Sequence, residues 1–463
     1  MKFYWIFSHL AVILGFLLAA LVIAHVIRQQ RSPAGTIAWL LVVVLVPYIG
    51  VPLYLMFGGR KIRRSASRKA NITLPAGSTL CFERSTLIDR LLRSYGIPGA
   101  TANNRVSLCQ TGEERYAAMV KLIEEATRSI WITMFILDPD KVGKEFINRL
   151  TRRAVEGLDV RLLLDSVGSL HTTRRFLSPV VEAGGQISFF MPLLHRPFRG
   201  RTNLRNHRKI IIADEQRVIA GGANIAGIYV DQVTKSNQWQ DLSFILEGPA
   251  VIHYTEVFRL DWEFASGQRF DLHPELAQPV PGSEDSAIVQ VVPSGPDMAG
   301  DPLYDAILSA IFTAKQCLWV VTPYFIPDNA LVQALNLASR RGVDVHILVP
   351  EKSNYPIIDL ARSAYLRELQ ANGCTIQLYS GGMMHAKVFL VDKQLAMIGS
   401  PNMDMRSLFL NYEIAMFAYS RPEIQATKVW LEELAENSRI GVKEVGAFRD
   451  ICEGIARMMS PLL

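Results

Sequence analysis

Asn206-His207-Arg208-Lys209-Ile210-Ile211-Ile212-Ala213-Asp214 and His385-Ala386-Lys387-Val388-Phe389-Leu390-Val391-Asp392 state one pattern twice. In each, a His is followed two positions on by Lys, and that Lys five positions on by Asp. The echo continues downstream, where Gly221-Gly222-x-Asn224 answers Gly399-Ser400-x-Asn402, and the step from His to Asn is seventeen residues in both copies. One such pattern matches about 1 in 10⁴ random starts. Two copies with the same tail call for another explanation.

The residue types supply one. On a strand, residues i and i+2 share a face, so a His and a Lys at this spacing can point together at one anionic group. Asn and Ser add neutral donors around the same oxygens. Two copies brought together would set two imidazoles on opposite sides of one phosphorus, one as nucleophile and one as general acid for the departing alcohol. Histidine suits both roles because it titrates near neutrality and a neighbouring carboxylate can fix its tautomer. A single histidine of this kind is more often an ordinary hydrogen-bonded residue; the repetition of the whole set argues for chemistry.

These paired elements resemble the phospholipase D superfamily, and further stretches resemble its bacterial, membrane-anchored cardiolipin synthase branch. They are Ala38-Trp39-Leu40-Leu41 with Pro47, Gly50, Tyr54 and Phe57-Gly58; Asn206-His207-Arg208-Lys209; Gln290 to Asp297; Thr322-Pro323-Tyr324-Phe325; Asn402 to Ser407; and Ser460-Pro461-Leu462-Leu463. The resemblance implies an α/β fold of two duplicated phospholipase D-like sandwich halves packed about a pseudo-twofold interface, behind an N-terminal two-helix transmembrane hairpin. It also implies phosphatidyl transfer between two phosphatidylglycerol molecules, giving cardiolipin and glycerol through a phosphohistidine.

The catalytic set so defined is His207, Lys209, Asp214, His385, Lys387 and Asp392, with Asn224, Ser400 and Asn402 around the phosphate. Of these, Asp214 and Asp392 are expected to brace strands and loops, since a carboxylate beside a phosphodiester would repel it. In relatives an acidic residue some thirty positions after each His accepts its second ring N–H. Glu413 stands at such a distance from His385, and Asp241 is the corresponding candidate for His207. The superfamily usually places the nucleophile in the first copy, which would be His207. Exchanging one phosphodiester for another needs no nucleotide cofactor; no acidic metal cluster accompanies the motifs, and the two Lys bring the positive charge that a Mg²⁺ would otherwise supply.

Composition gives a compatible frame. The chain has 463 residues and is 49% hydrophobic, which is high for a soluble protein. The excess lies at the front, where Phe3 to Val26 and Ala34 to Phe57 carry no Asp, Glu, Lys or Arg. Each run is long enough to cross a bilayer about 30 Å thick at roughly 1.5 Å per residue. A secretory signal peptide is the competing reading of the first run, but the run is long for one and a second follows within ten residues. Pro47 and Pro52 predict a kink in the second.

Basic residues orient the hairpin. The short connection holds Arg28 and Arg31, whereas the other side holds Lys2, Arg60, Lys61, Arg63, Arg64, Arg68 and Lys69, seven against two. The positive-inside rule then places the amino terminus and the large carboxy-terminal part on the cytoplasmic face of the inner membrane. The second group is also expected to lie on anionic headgroups. Cys81, Cys109, Cys317, Cys374 and Cys452 are odd in number and scattered, which reads as free thiols of a reducing compartment. A net charge of +6 does not by itself imply nucleic acid.

Past the hairpin the chain reads as two α/β halves. Thr111-x-x-Glu114 has the form of a capping box before a helix with Tyr116, Met119, Val120 and Ile123 on one face. A strand over 130–136, a helix over 142–155 and an apolar run over 160–164 follow. The order recurs as a helix near 304–314, a strand at 318–321, a helix near 330–339 and a strand at 345–349. Ala126 and Trp131 match Ala314 and Trp319 at one offset, the mark of internal duplication. Phe270 to Ser286, with Pro274, Pro279, Pro281 and Gly282, reads as the seam. The expected organisation is a hairpin over 1–60, a basic juxtamembrane linker over 61–105, a first half over 106–269, a linker over 270–286 and a second half over 287–463.

Besides His207 itself, His195, Arg196, Arg199, Arg201, Arg205, Arg208 and Lys209 fall within fifteen positions. A solvated loop is the plain reading. The sharper one is a headgroup clamp in which Arg199, Arg201 and Arg205 grip anionic lipid. A nucleic-acid groove would look similar, but the apolar runs place the loop beside lipid, and the resemblance implies phosphatidylglycerol and anionic membrane lipids as partners. A hydrolytic phospholipase D would share every catalytic residue, and a membrane-tethered nuclease or a non-catalytic scaffold are more distant readings; oligomeric state is not encoded in these features.

Overall fold

The computed structural model describes residues 86–191, 204–230, 239–280 and 286–458 continuously, together with 69, 71–75 and parts of 9–54. They fall into two compact units, Met1–Ala66 with Leu193–Asn203, and Ser67–Pro192 with Leu204–Leu463.

In the smaller unit a helix covers Pro33–Leu45. A small apolar cluster gathers Ala19, Val22, Val43, Val51 and Tyr54, with Trp39 edge-on to Tyr54 at 5.3 Å. Gly50 is required there: a Cβ would stand 2.4 Å from the Val42 carbonyl oxygen. Among the described residues no helix is long and apolar enough to cross a membrane.

The larger unit is built on one fifteen-stranded sheet. Its first half supplies β1 (Thr101–Cys109), β2 (Ser129–Met134), β3 (Asp159–Asp165), β4 (Gln186–Phe190), β5 (Ile210–Ala213), β6 (Arg217–Gly221) and β7 (Ser243–Glu247). The second supplies β8 (Ala287–Ser294), β9 (Cys317–Val321), β10 (Asp344–Pro350), β11 (Thr375–Tyr379), β12 (Val388–Val391), β13 (Leu395–Gly399), β14 (Glu413–Ala418) and β15 (Ser438–Ile440). Spatial order is β4-β3-β2-β5-β6-β7-β1 in one half and β11-β10-β9-β12-β13-β14-β8 in the other, with β15 added at the β11 edge. The fold is therefore an α/β duplication, strand for strand. Within each half the first three strands in this order are parallel and the rest antiparallel.

Alternation along β2 explains why helices cover both faces. Ile130 and Ile132 join a core with Met119, Phe146, Leu150 and Val180 from the helices Gly112–Glu125, Lys141–Val155 and Arg174–Glu182. Trp131 points the other way and stacks on Phe258 of helix Val251–Ser266 at 5.6 Å. The capping box at Thr111 and Glu114 forms, with both reciprocal bonds present.

The halves join where β1 pairs antiparallel with β8. The segment expected as linker up to residue 105 therefore includes a helix, Leu87–Ser94, and the start of β1. Its polar Thr-Ala-Asn-Asn beginning hides the strand from a hydrophobicity reading. Buried Asn104 closes the junction, donating to the Ala287 carbonyl at 3.2 Å and accepting from the Ala250 amide at 2.8 Å.

Candidate active site

Residues 207–209 and 385–387 lie immediately before β5 and β12 rather than within them. Their backbone is held across the halves. Asn206 bridges Tyr412, and the His207 amide donates to the Tyr412 carbonyl at 2.9 Å. In the other copy Met383–Met384 pairs in parallel with Trp239–Gln240, and the His385 amide donates to the Gln240 carbonyl at 2.7 Å. Glu413 directly follows Tyr412, and Asp241 directly follows Gln240.

This crossing sets the carboxylates. Nδ1 of His207 lies 3.0 Å from both carboxylate oxygens of Glu413, and Nδ1 of His385 lies 2.6 Å from Oδ2 of Asp241. The expectation from chain spacing, Glu413 for His385 and Asp241 for His207, is thus reversed. Each carboxylate serves the histidine of the other half because its strand end abuts that histidine's backbone.

Burial opposes charge on every member of the group. It pushes His207 down to about 4 and His385 to about 3, with the lysines adding to the effect and Glu413 or Asp241 opposing it. Burial likewise lowers Lys387 to about 8 and holds Lys209 well below its usual range. For Glu413 and Asp241, burial raises the pKa but is outweighed by the histidines and lysines, which leaves both carboxyls lowered. The resting pattern is thus an ionised carboxylate accepting Nδ1–H from a neutral imidazole, which leaves the Nε2 lone pair of His207 to act, while Nε2 of His385 lies 3.2 Å from Lys387 Nζ. A phosphodiester between the imidazoles would raise the pKa of all four basic groups, opposite to burial.

Lys209 Nζ donates to the His207 carbonyl at 2.7 Å and lies over the Phe135 ring, and Lys387 Nζ donates to the His385 carbonyl. Asn224 donates to the Tyr229 hydroxyl at 2.9 Å and accepts from the Ile136 amide at 3.1 Å. That hydroxyl stands 3.4 Å from Nε2 of His385. Asn402 keeps a buried side-chain oxygen without a hydrogen-bond partner among the described residues. Ser400 donates to Glu413 at 2.5 Å and accepts from the Ile414 amide. Its counterpart is Gly222 because Asp241 leaves no room: a Cβ there would lie 2.3 Å from Oδ1.

Asp214 and Asp392, placed in the catalytic set by the motif, follow the far ends of β5 and β12 from the histidines. Both occupy hairpin turns with left-handed backbone, φ 56° and 51°, which short polar side chains tolerate. Asp214 accepts the amides of Thr127, Arg128 and Ser129 at 2.7–3.1 Å, and Asp392 those of Lys315, Gln316 and Cys317 at 2.8–3.0 Å. Each motif Asp therefore pins its hairpin to the start of β2 or β9.

Arg205, expected at a headgroup, is buried, donates to the Met191 carbonyl and lies 3.5 Å from Asp165. Arg199 and Arg201 lie outside the described residues. Lys69, expected on headgroups, is also buried. It pairs with Asp261 and Asp297, as Arg208 does at 2.8 and 3.2 Å. Two cations and two carboxylates balance, whereas losing one leaves an uncompensated buried charge costing about 3–5 kcal/mol. Asp261 also accepts from Asn206 at 2.9 Å, and Arg208 Nε donates to the Glu413 carbonyl at 3.1 Å. Both neighbours of His207 are thus clamped. The available signal was that Arg208, between His207 and Lys209, must point to the opposite face.

A family model described as "Cardiolipin synthase, PLD-like domain" matches residues 119–262 and 307–435, and one described as "Phospholipase_D-nuclease N-terminal" matches residues 17–59. Cardiolipin synthase 1 of Bacillus anthracis is 34% identical over 94% of this chain and 90% of its own length. The major cardiolipin synthase of Bacillus subtilis is 30% identical over 97% and 98%. The crystal structure of phosphatidylserine synthase from Haemophilus influenzae superimposes with a TM-score of 0.62 at 14% identity, over 81% of this chain and 98% of that one, a likeness of fold.

Proposed function

This chain belongs to the cardiolipin synthase family of phospholipase D-like phosphatidyltransferases, and we propose that it makes cardiolipin from two molecules of phosphatidylglycerol by two displacements at one site. The observation that carries the mechanism is the crossed pair, His207 on Glu413 and His385 on Asp241, with Lys209 and Lys387 beside them.

Neutral His207 attacks phosphorus through Nε2, forming an N–P bond as the P–O bond to glycerol breaks. The leaving oxygen takes a proton from His385, whose protonated form the substrate's negative charge favours. Lys209, Lys387, Asn224 and Asn402 stabilise the equatorial oxygens. Ser400, tied to Glu413, acts through that carboxylate. A hydroxyl of the second phosphatidylglycerol then attacks the phosphohistidine, returns its proton to His385 and expels His207. The test is purified protein given vesicles of phosphatidylglycerol alone, with lipids read by mass spectrometry. Cardiolipin and glycerol in equal amounts are expected; phosphatidic acid in place of cardiolipin would make it a hydrolase.

Transfer rather than hydrolysis requires a lipid hydroxyl at high effective concentration in a site that excludes water. An N-terminal hairpin spanning the inner membrane through Phe3–Val26 and Ala34–Phe57 would hold the site at the lipid surface, with the catalytic unit in the cytoplasm. Two apolar runs free of charge and the seven-to-two basic bias support this. A reporter active only in the cytoplasm should work when fused after Leu463 and fail when inserted near Gln30; the reverse pattern would overturn the topology.

A further inference from the structure

The helix Ala447–Met458 is mounted with its polar side inward. Phe448, Ile451, Ile455 and Met458 recur at helical spacing, and they are 81, 62, 56 and 82% exposed. The other side faces helix Pro356–Ala371 through ion pairs: Asp450 and Glu453 with Arg367 at 3.0 and 2.5 Å, and Arg457 with Glu368 at 3.0 Å. Arg457 also lies 4.2 Å from the Tyr365 ring centre, and Glu453 and Ala456 are buried. A surface helix of a water-soluble domain does the reverse, turning its apolar stripe to the core.

Three observations select a phospholipid surface as the occupant. The carboxylates Asp450 and Glu453 are paired to Arg367, and Glu453 also to Arg449 at 2.9 Å; the Arg449 side chain still stays 63% exposed, and Lys443, just ahead of the helix, is exposed too. Cations beside an apolar stripe bearing Phe match an interfacial helix on anionic lipid. Helix Pro356–Ala371 also connects the stripe to the site. At its start Tyr355 and Ile357 are 51 and 43% exposed, and Tyr355 packs 5.8 Å from Tyr324. Tyr324 directly precedes Phe325–Ile326, which pairs in parallel with Met403–Asp404, next to Asn402 of the site. Finally, both substrates of the proposed reaction are anionic lipids that must enter from a bilayer.

We propose that helix Ala447–Met458 docks the catalytic unit on an anionic phospholipid surface, with Phe448, Ile451, Ile455 and Met458 at the headgroup–acyl boundary. This rests on the phosphatidyltransferase reading and is independent of the N-terminal hairpin. Full-length Phe448→Trp protein is reconstituted in phosphatidylglycerol vesicles, and the emission it adds over the parent protein is followed. Lipids brominated at shallow acyl positions should quench about half or more of that added emission. If the vesicles carry the protein on flotation but the added emission is not quenched, docking by this helix is wrong and the hairpin stands. If the protein does not float at all, both are wrong. As a second measurement, Ile451→Glu with Ile455→Glu should lower turnover on vesicles about tenfold, with turnover on detergent-dispersed lipid unchanged. An equal loss in both media would overturn the proposal. So would a parent dimer that these substitutions dissociate, since the stripe would then be a contact between copies of this chain.

Discussion

Replacing His207 or His385 with Ala is expected to lower cardiolipin formation by about 10⁴-fold or more, with the double variant little worse than the poorer single one. The histidines act as a unit, since attack without protonation of the leaving oxygen, or protonation without attack, leaves the barrier high. The two losses differ in kind, and a donor whose leaving group is p-nitrophenolate separates them. That leaving group departs without a proton, so His385→Ala should recover release of the nitrophenolate in a first turnover, whereas His207→Ala should not. Recovery in His207→Ala instead would exchange the two roles. Substantial activity of both variants on phosphatidylglycerol would end the two-histidine mechanism.

The carboxylates give the second large effect, and here the crossing makes the prediction specific. Glu413→Gln and Asp241→Asn are each expected to cost about 10²–10⁴-fold, because an amide can accept from or donate to Nδ1 and no longer selects the tautomer with Nε2 free. Glu413 also raises the pKa of His207 against burial, so its loss lowers that imidazole's basicity further. Since Glu413 holds His207 and Asp241 holds His385 at 3.0 and 2.6 Å, Glu413→Gln should resemble loss of the nucleophile. Asp241→Asn should resemble loss of the acid, and the nitrophenyl donor should rescue only the latter. Rescue of Glu413→Gln in place of Asp241→Asn would mean that each carboxylate serves its own half.

Much of the architecture was legible in sequence. The helices expected near 304–314 and 330–339 are Pro302–Thr313 and Asn329–Arg340, and the strands expected at 318–321 and 345–349 are β9 and β10. Local periodicity and capping encode such elements, and duplication supplies each signal twice. β1 was missed because its buried polar residue is satisfied by Ala287 and Ala250, partners 183 and 146 positions away. Lys69 was misplaced for a related reason. Hydropathy assigns a lysine to water or headgroups unless its two carboxylates are known to converge on it.

What the sequence determined by itself is therefore the repeated His-Lys-Asn set, carried by residues within one hairpin of each other, and the α/β order of each half, carried by local periodicity; the amides that Asp214 and Asp392 brace lie 85–87 and 75–77 positions away. Only the tertiary structure decided which carboxylate serves which histidine. Glu413 lies 206 positions from His207, and Asp241 lies 144 from His385. Contacts at that separation depend on how β1 and β8 join the halves and how each strand end meets the other half's motif, and neither spacing nor periodicity along the chain encodes a partner across a pseudo-twofold axis.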